Sequence, residues 1–224
     1  EKRRKKKMNS IMVDSDIKSP LAEAIRTLRT NIQFMNPSKG MQTILVTSTL
    51  ASEGKSWVSS NLAAAFAQTG KTTVIIDADM RKGVLNKIFD LPLTPGLSNY
   101  LSGVNISSIK SPFTEHPEIG TIIQRTEIEN LFAITLGDLP PNPSELILAE
   151  EMNNLIDELR DFADVVIFDG TPSLLVTDSI ILSRLVNSTI IVAEYNRTKK
   201  NDLKQVKEAI TNVGGKVAGI VLNK

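Results

Sequence analysis

From residue 43 onward, short β-branched and apolar runs alternate with helical segments. Residues 43–47, 73–78, 131–136, 165–169, 189–193 and 216–222 read as strands. Residues 57–68, 143–161, 180–185 and 199–213 read as helices. Strands this apolar must be buried on both faces, and strands separated by helices run parallel through right-handed crossovers. The pattern predicts an α/β fold, a doubly wound, mostly parallel sheet flanked by helices. Ahead of it, residues 19–34 read as an amphipathic helix. Ser19 is its N-cap, Pro20 its first residue, and Leu21, Ile25, Leu28 and Ile32 share one face. Residues 90–130 are less regular, with Pro92, Pro95, Gly96 and Gly103 punctuating short helices.

The residue inventory narrows the chemistry. With no cysteine and one histidine (His116), the chain has no disulfide framework, thiolate metal site or multi-histidine centre. No apolar run is long enough to span a bilayer, and no leader pattern opens the chain, so export is not expected. At 224 residues, one generous domain is expected. Residues 1–10 carry six cations against Glu1, a net +5. The remainder therefore stands at −4 of the +1 total. A run of like charge solvates and stays flexible, so residues 1–18 read as a basic tail before a domain spanning 19–224. Such a tail suits a solubilising role or an anionic membrane surface. Sparse aromatics and a mildly acidic body argue against nucleic acid as a partner.

The strongest motif follows the first strand. Gly54-Lys55-Ser56 enters a helix directly, as in the closing half of a P-loop, whose amides wrap phosphates at the positive helix end. Ser52, Glu53, Gly54, Lys55, Ser56 and Trp57 are the expected nucleotide-binding residues. Lys55 reaches the β/γ-phosphates and the Ser56 hydroxyl holds Mg²⁺. Thr49 stands where the pattern normally opens with glycine. Trp57, at the start of the helix, is read as packing more than as adenine stacking. Two more strands end in acids: Asp77 and Asp79 after residues 74–76, and Asp169 after 165–168. Parallel sheets bind ligands beyond the carboxyl ends of their strands, so these acids and the loop should share one edge. Asp169 fits the Walker B role. Of Asp77 and Asp79, one would orient or deprotonate an acceptor hydroxyl and the other help the metal, giving Ser56, Asp79 and Asp169 as the metal set.

Residues 75–82, Ile-Ile-Asp-Ala-Asp-Met-Arg-Lys, resemble the A′ Walker motif of bacterial P-loop tyrosine kinases, enzymes that regulate capsule and exopolysaccharide export. Glu23-x-x-Arg26-x-x-Arg29 resembles the family's oligomerisation motif. Pro140-Pro141-Asn142-Pro143-Ser144-Glu145-Leu146, Val176-Thr177-Asp178 and Val221-Leu222-Asn223-Lys224 also fit, so the resemblance covers roughly residues 19–224. The chain departs from the pattern at Ala51 and Ser52, where many relatives have Pro and Gly. It departs again at Gly83 and Gly170, and in lacking a tyrosine-rich tail; Tyr100 and Tyr195 are its tyrosines. A non-glycine Ser52 is costly if the loop needs positive φ.

The resemblance implies ATP-dependent phosphorylation of tyrosines on a neighbouring subunit. Lys55, Asp77, Asp79 and Asp169 would be catalytic, with Asp77 the first choice of base. It further implies ATP/ADP and Mg²⁺ as cofactors, a ring-like homo-oligomer through the 19–35 helix, and a transmembrane adaptor that activates the kinase and holds it at the inner face of the membrane. The tyrosine-rich tail of a neighbour would be the substrate. Residues 2–7 would belong to the adaptor's juxtamembrane stretch or to the kinase's own start. Two other classes share this sheet. Partition and septum-placement ATPases carry a second lysine five residues before the invariant one, where this chain has Leu50. A silent regulatory module would bind nucleotide through residues 49–52 and transfer nothing.

Overall fold

The apolar runs pair into one seven-stranded sheet in the order β3-β4-β2-β5-β1-β6-β7. The structure, a computed structural model, describes residues 11–16, 18–35, 40–103 and 119–224. The basic residues 2–7 and His116 lie outside them. The strands are β1 (Gln42–Ser48), β2 (Thr73–Asp77), β3 (Ile123–Arg125), β4 (Leu131–Ile134), β5 (Val165–Pro172), β6 (Ser188–Glu194) and β7 (Val217–Asn223). All neighbours run parallel except β3 and β4, which are antiparallel. Three residues are too few for an alternation to register, which hides edge strand β3 in the sequence.

Two cores sandwich the sheet. Leu45, Val74, Ile76, Val166 and Phe168 face one side; Ile44, Val46, Ile75, Val165 and Ile167 face the other. The second side is filled by α3 (Lys55–Ala67), whose alanines let it press against the strands and whose residues 58–67 are all buried. The first is covered largely by α7 (Glu150–Phe162), through Met152, Leu155, Ile156 and Leu159.

The helix expected over 143–161 is two: α6 (Pro143–Leu148) and α7, parted at the extended Ala149. Ile147 and Met152 both enter the core, and their five-residue spacing does not fit one helical face; the break resets the phase. Three further short helices complete the residues around the site: α4 (Leu85–Phe89), α5 (Leu97–Leu101) and α8 (Asp178–Leu182). The last strand, β7, is covered by α9 (Lys200–Asn212), yet leaves Ile220 and Leu222 exposed.

The packed unit also begins earlier than residue 19. A short helix α1 (Met12–Ser15) precedes α2 (Pro20–Met35), and Ile11 and Val13 are buried. The Val13 N–H donates to Asn61 Oδ1 at 3.2 Å, and its carbonyl accepts from Gln68 Nε2 at 3.1 Å. Both partners lie on or next to α3.

Candidate active site

β1, β5 and β2 are adjacent, and their register carries the acids to one place. Val46 pairs with Asp169, and Asp77 pairs with Asp169 on the opposite neighbour. Beyond Asp77 the chain leaves the strand, and Ala78 N–H bonds the Asp169 carbonyl at 3.0 Å. This turn swings Asp79 toward the end of β1, where the loop 49–54 leads into α3. Gly54 caps α3 in the left-handed region at φ 91°, and a Cβ there would strike Asn223. Ser52 is also left-handed, at φ 67°.

Lys55 opens α3 and points into this acidic corner. Its Nζ lies 3.0 Å from Asp79 Oδ2 and 4.0 Å from Asp169 Oδ1, and donates to Ser56 Oγ at 3.3 Å. Burial acts to lower its pKa, but Asp169, Asp79 and Asp77 outweigh that and hold the ammonium above its ordinary value. Asp79 is fully engaged: Oδ2 takes Lys55, and Oδ1 accepts the N–H groups of Arg81 at 3.3 Å and Lys82 at 2.9 Å.

The other two acids are not satisfied. Asp169 is completely buried, and among the described residues neither of its oxygens has a hydrogen-bond partner. Burial pushes its carboxyl up, against the pull of Lys55. Asp77 Oδ2 accepts the Leu85 N–H at 2.9 Å while Oδ1 has no partner among the described residues. Burial first, then the neighbouring Asp169, pushes Asp77 up to about 8. Gly83 explains how Asp77 fits: a Cβ at that position would stand 2.6 Å from the Asp77 carboxylate.

Orphaned carboxylate oxygens beside a serine hydroxyl fit a hard divalent cation. Among the described residues no cluster of three acidic, histidine or cysteine side chains can hold a metal alone. Ser56 and Asp169 could hold such an ion, and Asp79, which carries Lys55 at 3.0 Å, stands beside them.

Residues 44–224 match the family model for the CobQ/CobB/MinD/ParA nucleotide binding domain. A putative tyrosine-protein kinase of Staphylococcus aureus, CapB, is 36% identical over 222 residues, which is 99% of this chain and 92% of CapB. The chain belongs to the bacterial P-loop tyrosine kinases. Among solved structures, the chimerical protein CapA2B2 superposes with a TM-score of 0.84 at 38% identity, covering 96% of this chain and 89% of that one. The kinase domain of Escherichia coli tyrosine kinase ETK gives the same TM-score at 30% identity, covering 95% and 79%. Full-length etk is longer, and this chain spans 29% of it.

Within this kinase fold the expected residues take different places. Lys55, Ser56, Asp77, Asp79 and Asp169 converge. Glu53 does not face outward to a ligand: it is wholly buried and staples the loop internally. Its carboxylate accepts Thr49 Oγ1 at 2.7 and 2.6 Å, the Leu50 N–H at 2.8 Å, and the Thr198 hydroxyl. Thr49, the residue replacing glycine, therefore anchors the loop. Thr198 lies in the turn after β6, where the local sequence gives no sign of this role; the wholly buried carboxyl group of Glu53 requires donors of this kind.

Two other motifs meet through side chains. Arg81 donates to Asp178 from Nε at 2.9 Å and from Nη2 at 3.2 Å, and Ser144 Oγ donates to Asp178 Oδ1 at 2.5 Å. The A′ turn, the Pro-Pro-Asn-Pro segment and the start of α8 are thus one wall. On α2, Glu23 and Arg26 form an exposed i,i+3 pair at 3.0 Å. Arg29 turns inward and donates to the Ala65 carbonyl at 2.9 Å, capping the end of α3 within its own chain.

Proposed function

We propose that this chain is an ATP-dependent protein-tyrosine kinase that autophosphorylates between subunits and regulates capsule or exopolysaccharide synthesis and export. The observation that carries this reading is one buried lysine held between Asp79 and Asp169, at the edge where the phosphate loop, β5 and β2 end. Loop amides and Lys55 supply positive charge where a triphosphate would lie, and the rigid stapling by Glu53 keeps that charge oriented. Ser56 and Asp169 would hold Mg²⁺, which when bound would neutralise phosphate charge.

Asp77 serves as the base that takes the proton from an incoming tyrosine hydroxyl. A base works best when its pKa is near the operating pH, and Asp77 stands at about 8 with one oxygen that has no hydrogen-bond partner among the described residues. Asp79 has both oxygens engaged, by Lys55 and two backbone amides. It holds the lysine ready until phosphate oxygens compete for it.

In this reading subunits assemble into a ring through α2. That helix displays the Glu23–Arg26 pair together with the exposed apolar side chains of Leu21, Phe34 and Met35. A transmembrane adaptor holds the kinase at the inner membrane face and activates it; no helix among the described residues is long and apolar enough to cross a membrane. The likeness to the chimera CapA2B2 supports such an adaptor. The test is to mix the Lys55→Met chain, extended by a tyrosine-rich tail, with native chain and Mg·ATP. Phosphotyrosine on the inactive chain supports a kinase acting between subunits. Release of free phosphate alone supports the ATPase class, and neither product supports a silent module.

A further inference from the structure

The turn after β2 passes over the buried acids and carries two cations to the surface. The Arg81 and Lys82 N–H groups both bond Asp79 Oδ1, and Gly83 lies so near Asp77 that a Cβ there would stand 2.6 Å from its carboxylate. Residues 81–83 are therefore the rim of the acidic corner on its β2 side, and the side chains of Arg81 and Lys82 are exposed there. The phosphate loop follows β1, on the far side of β5. In phosphoryl transfer the attacking and leaving oxygens stand roughly in line. With the triphosphate wrapped by the loop, the acceptor hydroxyl comes from the β2 side, across this rim.

The Arg81 guanidinium is fixed from behind. Nε and Nη2 donate to Asp178 at 2.9 and 3.2 Å, and Nη2 also reaches Ser144 Oγ at 3.4 Å, while Nη1 takes no part in these bonds. The Asp178 side chain is 1% exposed and that of Arg81 41%. An anion arriving from solvent thus meets the cation and not its counter-ion. The hydrogen bond to Asp178 holds the guanidinium above its ordinary pKa against burial, and Asp79 adds to that pull. Glu145, the acid next to Ser144, is engaged by Asn142 Nδ2 at 3.0 Å. Lys82 places a second positive charge at the next position. A planar fork held in one orientation suits carboxylate and phosphate, and a neighbouring ammonium adds a point charge.

We propose that Arg81 and Lys82 form an anion-recognising rim that selects acceptor tyrosines by a carboxylate or phosphate carried two or three residues away in the acceptor chain. The inference rests on the kinase reading above and deepens it by naming the substrate class. Two residues of extended chain span about 7 Å, so the flanking anion reaches the rim while the phenol stands at Asp77. On a tyrosine-rich acceptor, each phosphotyrosine formed supplies the anion for its neighbour, and earlier phosphorylation favours later phosphorylation.

The test gives the full chain Mg·ATP and four peptides of one length, each with a single acceptor tyrosine flanked at two residues' distance by Glu, Ser, Lys or phosphotyrosine, and counts added phosphate by mass spectrometry. The Glu peptide should exceed the Ser peptide by about three- to fivefold in kcat/KM, through KM, the scale of an exposed ion pair, and the Lys peptide should fall below it by as much. The phosphotyrosine peptide should gain at least about tenfold, since a phosphate can take the guanidinium bidentately. A gain confined to phosphotyrosine identifies a phosphate reader and an equal gain by both a reader of charge; either outcome upholds the rim. Lys82→Glu should reverse the order of the Glu and Lys peptides. That ratio, measured within one preparation, does not depend on how much of the variant folds. Equal kcat/KM for all four peptides, or the native order in Lys82→Glu, overturns the proposal and leaves the kinase reading standing. No phosphate on any peptide overturns both.

Discussion

At Asp77 stability and activity pull in opposite directions. Its folded pKa, about 8, lies above the ordinary 3.8 because of burial and Asp169. Between those values the native state holds a proton that the unfolded chain releases, so stability is highest at low pH in that window and falls as pH rises toward 8. Phosphoryl transfer should do the reverse, rising as Asp77 loses its proton. In the nucleotide-free protein we expect Tm to fall from pH 5 to pH 8, and Asp77→Asn to flatten that slope while abolishing phosphotyrosine formation; thermal melts and kinase assays across the range check both. Lys55→Met should reduce transfer by at least about 10²–10³-fold, the scale of a lost preorganised electrostatic donor, with an unchanged circular dichroism spectrum. Ser52 carries a different cost. A non-glycine residue at φ 67° stores about 1 kcal/mol, so Ser52→Gly should raise Tm by roughly 2–4 °C.

At the scale of elements, the two arginines of α2 separate by role. Arg29 donates to one of the carbonyls that the end of α3 leaves unpaired. Its loss should cost about 1.5–3 kcal/mol, the range for a hydrogen bond to a charged group, visible as a lower denaturation midpoint for Arg29→Ala. The exposed Glu23–Arg26 pair is worth only about 0.3–0.5 kcal/mol to the isolated chain. Arg26→Ala should shift the mass seen by light scattering toward the monomer. Most of this framework was legible in the sequence, because β-branched runs and an alanine-rich helix announce a covered parallel sheet. The phase break at Ala149, the three-residue β3 and the packing of residues 11–16 were not. Each depends on which neighbour the fold brings near, and periodicity carries no trace of that. The same limit applies within the site: three strand-end acids and Gly54-Lys55-Ser56 were readable locally, whereas Thr198 reaches Glu53 across 145 positions of chain.

For the whole molecule, the sheet order explains why one edge concentrates the chemistry. Placing β1 between β5 and β6 sets acids on one flank of the phosphate loop, at the carboxyl ends of parallel strands. In the proposed mechanism Lys55 and Asp169 together enclose a magnesium-bound nucleotide. Calorimetric titration of ADP with and without Mg²⁺, for the native chain and for Asp169→Asn, tests it most directly. Mg²⁺ should tighten ADP binding to the native chain by at least about tenfold, and Asp169→Asn should remove most of this gain. Equal ADP affinity with and without Mg²⁺, or an undiminished magnesium effect in Asp169→Asn, would contradict it.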